Sequence, residues 1–510
     1  MKTIGIIAEY NPFHNGHAYQ IAELKRKTNA DFVVIAMSGD FVQRGAPAII
    51  DKYCRAEMAL LCGADLVIEL PAVWAVSSAE DFAMAGVTLF DKIGCIDGIC
   101  FGAESDQLPQ LKSIAGVLAE EPDIYRSALS SHLKKGLAFP AARAAALSDY
   151  FKSTGMNSLI SILDTPNNIL AVEYLKALKR RNSAMTPILI PRAGSGYHDT
   201  TINTPTASAS AIRAAVSNVT PSDNHTFHLS SADYGSQSIH SSRPHLSEIA
   251  SSMPEPAFAL FQKEITSGRL MDADDFSSIL GYRILSCSKK ELENIYDMTP
   301  EIANRIIKNR YHFSSFTQFC AQNKSRDITY TRMNRILLHL ILQMTQTDVK
   351  QYKETDYIPY LRILGFRKDA SALLSALKKS AKVPVISKLS SALRTLDGTA
   401  NQMLKQDIFS SGISATRRAW RPLSNGVARN TSTHRSARLK PVIPAPSASI
   451  FASLCRRHIS AHRLSHTWAQ RIPFTLLAAM EMPIPVVQTT MPRSHSPEAT
   501  ARAAASPNTG

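Results

Sequence analysis

The stretch KTIGIIAEYNPFHNGHAYQIAELKRKT, residues 2–28, decides the fold. Its first part, KTIGIIAEY (2–10), is a β-branched run that reads as a buried strand, and GHAYQIAELKRKT (16–28) reads as a helix. Around their junction lie a proline, a glycine and two histidines three residues apart, His14 and His17. The same alternation recurs outward. DFVVIAMSG (31–39) predicts a second strand, RAEMALLCG (55–63) a helix stopping at Gly63, and ADLVIEL (64–70) a third strand. AEDFAMAGVTLFDKIG (79–94) predicts a helix ending at Gly94, and IDGICFG (96–102) a fourth strand. After a further helical stretch, TPILIP (186–191) predicts a fifth. Strands alternating with helices predict an α/β fold, a Rossmann-like doubly wound parallel sheet, over 1–220.

The 510 residues suffice for two to four domains, and the 45% hydrophobic content is that of a globular chain. Glu9 interrupts the early apolar run, so no signal peptide is expected. No stretch approaches the ~20 apolar residues of a membrane span. Seven cysteines without a CxxC pair predict reduced thiols, a cytoplasmic location and no zinc site. The net charge of +15 is unevenly placed. Residues 411–510 hold 13 Lys and Arg against two acids, whereas residues 1–410 hold 44 against 40. Global charge is therefore no argument that the folded part binds nucleic acid.

Residues 217–243 are rich in Ser, Asn, His and Asp and read as a connection, giving a linker over 221–253. A mostly helical domain is expected over 254–395. In TPEIANRIIKNR (299–310), Thr299 is a candidate N-cap with Ile302, Ile306 and Ile307 on one side. TRMNRILLHLILQM (331–344) reads as a second amphipathic helix. From 396 the composition shifts to Ser, Ala, Arg and Pro without a sustained period. Residues 396–510 are expected to be a disordered basic tail or a non-native C-terminus.

In an open parallel sheet, ligands bind outside the carboxyl ends of the strands. The first strand–helix turn offers such a place. Free N–H groups and the dipole at a helix start near Asn15–Gly16 favour an anion, and Gly16 lets a phosphate approach the backbone. His14 and His17 can hydrogen-bond phosphate oxygens from one side. Metal ligation fits the spacing, but a third ligand is missing. A satisfied core histidine is the remaining reading.

FHNGH resembles the HxGH signature of the nucleotidyltransferase superfamily. Seven stretches occur in order: GIIAEYNPFHNGHAYQ (5–20), MSGDFVQRGAPAIIDK (37–52), GADLVIELP (63–71), FGAES (101–105), TPNNILAVEYLKAL (165–178), RAGSGYHD (192–199) and YIPYLRILGF (357–366). Together, over 1–395, they resemble the bacterial tRNA(Met) cytidine acetate ligase family. The resemblance implies activation of acetate with ATP to acetyl-adenylate and pyrophosphate. It then implies acetyl transfer to N4 of the wobble cytidine in elongator tRNA(Met). Mg²⁺ would accompany the triphosphate, and acetyl-CoA would not be used.

The implied ATP site is Ile7, Ala8, Glu9, Tyr10, Asn11, Pro12, Phe13, His14, Asn15, Gly16, His17, Ala18, Tyr19 and Gln20, with Gly102, Asn167, Arg192 and Ala193; His14 and His17 are the catalytic candidates. At Gly102 a side chain would block purine or ribose, unless the glycine serves only a turn. Asn167 can bond the nucleoside or cap a helix. Arg192 follows a strand and suits phosphate charge. TASASAIRAAV (206–216) resembles the SSTxIR phosphate motif of related nucleotidyltransferases through Ser208, Ser210 and Arg213. Ser38, Asp40, Arg44 and Lys52 are further candidates, Arg44 for acetate or triphosphate and Lys52 for phosphate. For tRNA, NKSRDITYTRMNRILL (323–338) places Lys324, Arg326, Arg332 and Arg335 around Tyr330. Arg362, Arg367, Lys368 and Lys388 would extend that surface. Two other functions compete: an adenylyltransferase acting on a small phosphorylated metabolite, and a non-catalytic RNA-binding protein.

Overall fold

A computed structural model describes residues 1–104, 106–155, 165–192, 207–217, 246–420 and 485–487. Its strands are β1 (Thr3–Ala8), β2 (Phe32–Ser38), β3 (Phe41–Val42), β4 (Ala46–Pro47), β5 (Leu66–Leu70), β6 (Gly98–Ala103), β7 (Thr186–Pro191), β8 (Leu361–Arg367), β9 (Val385–Ile386) and β10 (Val486–Val487). The main sheet runs β10-β8-β5-β2-β1-β6-β7, with β9 also on β8. The five strands expected from the sequence form its parallel centre, β5-β2-β1-β6-β7. The chain moves outward from β1 through β2 to β5, then crosses back to β6 and β7. Strand order therefore reverses between β1 and β6, and the crevice at their carboxyl ends is the expected ligand position.

The central strands are buried on both faces, which is why they read as continuous apolar runs. One face carries the helices Ala79–Ile93, Leu108–Glu120 and Pro166–Arg180. The other carries Asn15–Thr28, Lys52–Leu61, Ala209–Ser217 and Glu255–Thr266. Helix Asn15–Thr28 buries Ile21 and Leu24 and sets Lys25, Arg26 and Lys27 in its last turn, where cations complement the dipole. No disulfide joins the six described cysteines. Among the described residues no helix is long and apolar enough to cross a membrane.

The expected cap at Thr299 is present, its side chain accepting from Ile302 N at 3.4 Å, and Ile302 and Ile306 are buried. The helix expected at 331–344 spans Tyr330–Leu342. The boundary at 395 needs correction in two ways. β8 leaves the helical region and pairs antiparallel with β5, so that region is joined to the main sheet rather than separate from it. Residues 398–420 are a helix, Gly398–Trp420, that buries Met403, Leu404 and Ile408. Its many Ser, Thr and Gln residues mask the apolar face in composition. Asp407 ties the helix inward, accepting from Ala72 N at 2.7 Å and from the Tyr360 hydroxyl.

Of the expected linker, 221–245 lie outside the described residues, and Leu246–Ser251 is helical. Of the expected tail, 421–484 and 488–510 lie outside them, while Val486 and Val487 extend the sheet beside β8.

Candidate active site

β1 ends at Ala8, and helix Asn15–Thr28 begins seven residues later. Tyr10 adopts a positive φ of 47°, and Asn11–Pro12 is cis. Tyr10 packs edge-on against both Phe13 (4.8 Å between centroids) and His17 (4.7 Å). Arg55, fully buried, fixes the strand ends from below. Its Nη1 donates to Glu9 O at 2.6 Å and to Ser38 O at 3.1 Å, and its Nη2 donates to Gly39 O. The Asn11 side chain accepts from Ile49 N at 2.8 Å. The turn is thus held at both ends before any ligand arrives.

The two histidines form the helix cap. His14 Nδ1 accepts from Gly16 N at 3.1 Å, and His17 Nδ1 accepts from His14 N at 3.3 Å. The rings lie 3.7 Å apart at 31°. A nitrogen that accepts an N–H carries no proton, so in both rings the proton is on Nε2, which becomes a donor. Burial, then the positive charges of Arg192 and Arg213, lower the His14 pKa to about 3. Burial, His14 and Arg192 hold His17 well below its ordinary value. Both rings are neutral donors at neutral pH rather than cations.

The expected free N–H groups at this helix start are already taken. Asn15 N donates to Ser252 O (3.0 Å), Gly16 N to His14 Nδ1, and His17 N and Ala18 N to His14 O (2.9 and 3.2 Å). The N-terminus contributes its dipole, while the imidazoles replace the backbone as donors. Gly16 has a corresponding reason. A Cβ there would lie 2.9 Å from His14 Cε1, so the close approach that requires glycine is that of the imidazole.

A cleft of about 230 Å³ opens over this turn. Of the implied ATP-site residues, Ile7, Ala8, Glu9, Tyr10, Asn11, His14, Gly16, His17, Tyr19, Gln20, Gly102, Asn167 and Arg192 line it. Pro12 and Phe13 are buried outside the lining, as scaffold for the turn. Asn15 and Ala18 are also outside it, and the Asn15 side chain instead donates to Ser251 O at 2.8 Å. Ala193 lies outside the described residues.

Gly102 is inside β6, opposite Ile190, so it is not a turn glycine. A Cβ there would meet the Arg192 stem at 3.5 Å. Arg192 N donates to Ala103 O at 3.0 Å, continuing the β6–β7 ladder and setting its side chain on the rim. The Asn167 amide donates to Glu104, whose carboxylate also accepts from Asn168 N at 3.1 Å. Glu104 rather than Asn167 therefore caps helix Pro166–Arg180.

Ser208, Ser210, Arg213 and Arg44 also line the cleft. Ser208 Oγ accepts from Ala211 N at 3.1 Å, capping its helix. Arg213 is braced by Asn11 O at 2.6 Å and Ser210 Oγ at 3.2 Å. Cations, hydroxyls and two imidazole N–H donors so converge on one concavity, an arrangement suited to a polyphosphate.

Lys52 and Ser38 are corrections. Lys52 is 2% exposed and bonded to Glu69 (2.6 Å), Asp40 (3.5 Å) and Ser411 Oγ (2.6 Å). It is spent inside the protein, because a buried ammonium needs compensating charge. Ser38 is fully buried, and both residues lie outside the lining. Asp40 belongs to the same interior network. Arg362 does too, pairing with Glu69 at 2.8 Å and donating to Tyr53 Oη at 3.0 Å. It is therefore not a surface contact.

Among the other candidates for tRNA contact, Lys324, Arg326, Tyr330, Lys368 and Lys388 are exposed. Arg332 pairs with Asp297 at 2.8 Å, and Arg367 with Asp369 at 2.6 Å. Arg335 is partly buried, and its backbone packs on Gly45.

The lining also includes Gln43, Phe82, Phe101, Leu170 and Tyr174, which the sequence did not single out. Phe and Leu in helices and strands carry only the apolar signal of core, and their position on the cleft comes from topology. Arg55 was missed because nothing local marks an arginine that will be buried.

A family model described as HIGH Nucleotidyl Transferase matches residues 1–421. A protein named tRNA(Met) cytidine acetate ligase from Caldanaerobacter subterraneus subsp. tengcongensis is 38% identical over 413 residues, covering 81% of this chain and 94% of that one. Another of that name from Acetivibrio thermocellus is 36% identical over 414 residues, with the same coverage. The crystal structure of apo Thermotoga maritima TmcAL superposes with a TM-score of 0.74 at 30% identity, over 82% of this chain and 95% of that chain. The form bound with alpha-thio ATP gives 0.72 at 29%. Fold and site thus define a nucleotidyltransferase of the HIGH class. Within it, the chain belongs to the tRNA(Met) cytidine acetate ligase family.

Proposed function

We propose that the protein activates acetate on ATP and transfers the acetyl group to N4 of the wobble cytidine in elongator tRNA(Met). The observation that carries the first step is the histidine cap, which leaves Nε2–H as the donor on two rings that line the cleft with Arg192 and Arg213. An acetate oxygen attacks the α-phosphorus, the bond to pyrophosphate breaks, and acetyl-adenylate forms. Negative charge spreads over the phosphoryl oxygens in the transition state. Preorganised N–H donors and cations act on that charge without a covalent nucleophile. Mg²⁺ enters on the triphosphate as part of the substrate, as is usual for this ion. Acetyl-CoA has no part in this chemistry, because ATP supplies the activation.

In the second step the cytidine amine attacks the acetyl carbon and AMP leaves. A wobble base in an anticodon loop is splayed out at lower cost than a paired base. Exposed Tyr330 with Lys324 and Arg326 offers stacking beside phosphate contacts. The test is acetate-dependent exchange of labelled pyrophosphate into ATP. Exchange with acetate and without acetyl-CoA is expected. Its absence in folded protein would sink the reading, and AMP transfer to a phosphorylated metabolite would replace it.

A further inference from the structure

We propose that Glu9 is the general base of the acetyl-transfer step, an inference that rests on the two-step reading above. Among the described residues Glu9 is the one acidic side chain lining the cleft. A carboxylate there opposes the polyphosphate. Like charges repel, so a carboxylate beside phosphate works against nucleotide binding. Its task therefore concerns a group that carries a proton, and the substrate that brings one is the N4 amine.

Its placement agrees. Glu9 follows β1 directly, at the reversal of strand order. Its main-chain oxygen is held by Arg55, and its Oε1 accepts from Gln43 N at 2.9 Å. An uncharged donor thus aims the carboxylate. Phe82, Phe101 and Tyr174 stand on the same cleft, and all three are at least nine-tenths buried, making an apolar wall against water. Arg192, Arg213 and Ser210 line the same cleft, and their charge and hydroxyl suit the leaving pyrophosphate. In-line displacement sets the acyl end opposite the pyrophosphate, and that end of the cleft is assigned to Glu9.

The hairpin β3–β4 links this carboxylate to the helical region. Gln43, which orients Glu9, sits in its turn. Two residues on, Gly45 (φ 75°) packs so closely on the backbone of Asn334 and Arg335 that a Cβ would clash with it. Those residues belong to helix Tyr330–Leu342, which begins at the exposed Tyr330.

The step balances as follows. The N4 lone pair forms the C–N bond to the acetyl carbon. The C–O bond to the phosphate breaks, and its electron pair leaves with AMP. The amine proton passes to the Glu9 carboxylate, which later releases it to water. The test uses the full chain, elongator tRNA(Met), ATP and labelled acetate. It measures pyrophosphate exchange and N4-acetylcytidine formation side by side. For Glu9→Gln, the ratio of transfer to exchange is expected to fall on the order of 10²–10⁴-fold, with part of the ratio restored in Glu9→Asp. An unchanged ratio overturns the assignment. So does an equal loss of both activities, which places the carboxylate in the ATP step. Absence of exchange in the unaltered protein would remove the two-step reading and this proposal with it.

Discussion

His14 carries a structural and a chemical demand on different atoms. Nδ1 caps the helix, which leaves Nε2–H as the donor of a ring that lines the cleft. Asn is itself a favourable N-cap. His14→Asn should therefore change stability at pH 7.5 by less than about 1 kcal/mol, while pyrophosphate exchange falls on the order of 10²–10³-fold. The same variant tests the ring's titration. In the unfolded chain a histidine titrates near 6.5, whereas His14 in the fold titrates at about 3. Between those values the unfolded state binds the extra proton. Stability therefore falls as the pH drops below 6.5, by about 1.4 kcal/mol per unit for this group. Urea midpoints from pH 4.5 to 7.5 should accordingly be flatter for His14→Asn than for the unaltered protein. An equal slope would contradict a buried neutral His14.

At the scale of elements, β1, β2, β5, β6 and β7 were legible because buried parallel strands leave apolar runs bounded by helix starts and glycines. The histidine pair was legible too, as ring donors; the structure revises only the bare backbone N–H groups, which the cap and the neighbouring turn already engage. Lys52 shows the limit. Its position after the second strand resembled that of a phosphate ligand, but only the fold brings Glu69, Asp40 and Ser411 around it. Breaking such a buried pair costs about 3–5 kcal/mol. Lys52→Met should therefore lower the denaturant midpoint strongly while the folded fraction keeps its exchange activity. Lost exchange at full stability would return Lys52 to the phosphate site. Helix Gly398–Trp420 escaped for a related reason, because its small polar residues conceal a buried stripe at Met403, Leu404 and Ile408.

For the whole molecule, that helix packs on helices Ala72–Ala75 and Tyr330–Leu342 and is tied by Asp407 to Ala72 and Tyr360. Each of its three buried aliphatic side chains contributes about 1.5–3 kcal/mol, a sum comparable with the 5–15 kcal/mol typical of a domain. A chain ending at residue 420 should unfold cooperatively near the full chain's temperature. One ending at 397 should lose its cooperative transition in calorimetry. Equal melting of the two would show that the helix is dispensable. The sheet, the cap and the docked hairpin together support one central claim: acetate activated at the first strand–helix turn ends on tRNA. The direct measurement is mass analysis of elongator tRNA(Met) incubated with the protein, ATP and isotope-labelled acetate. The account expects one labelled acetyl group on the wobble cytidine, dependent on ATP and lost in His14→Asn. Unlabelled cytidine in the presence of active acetate-dependent exchange would contradict it.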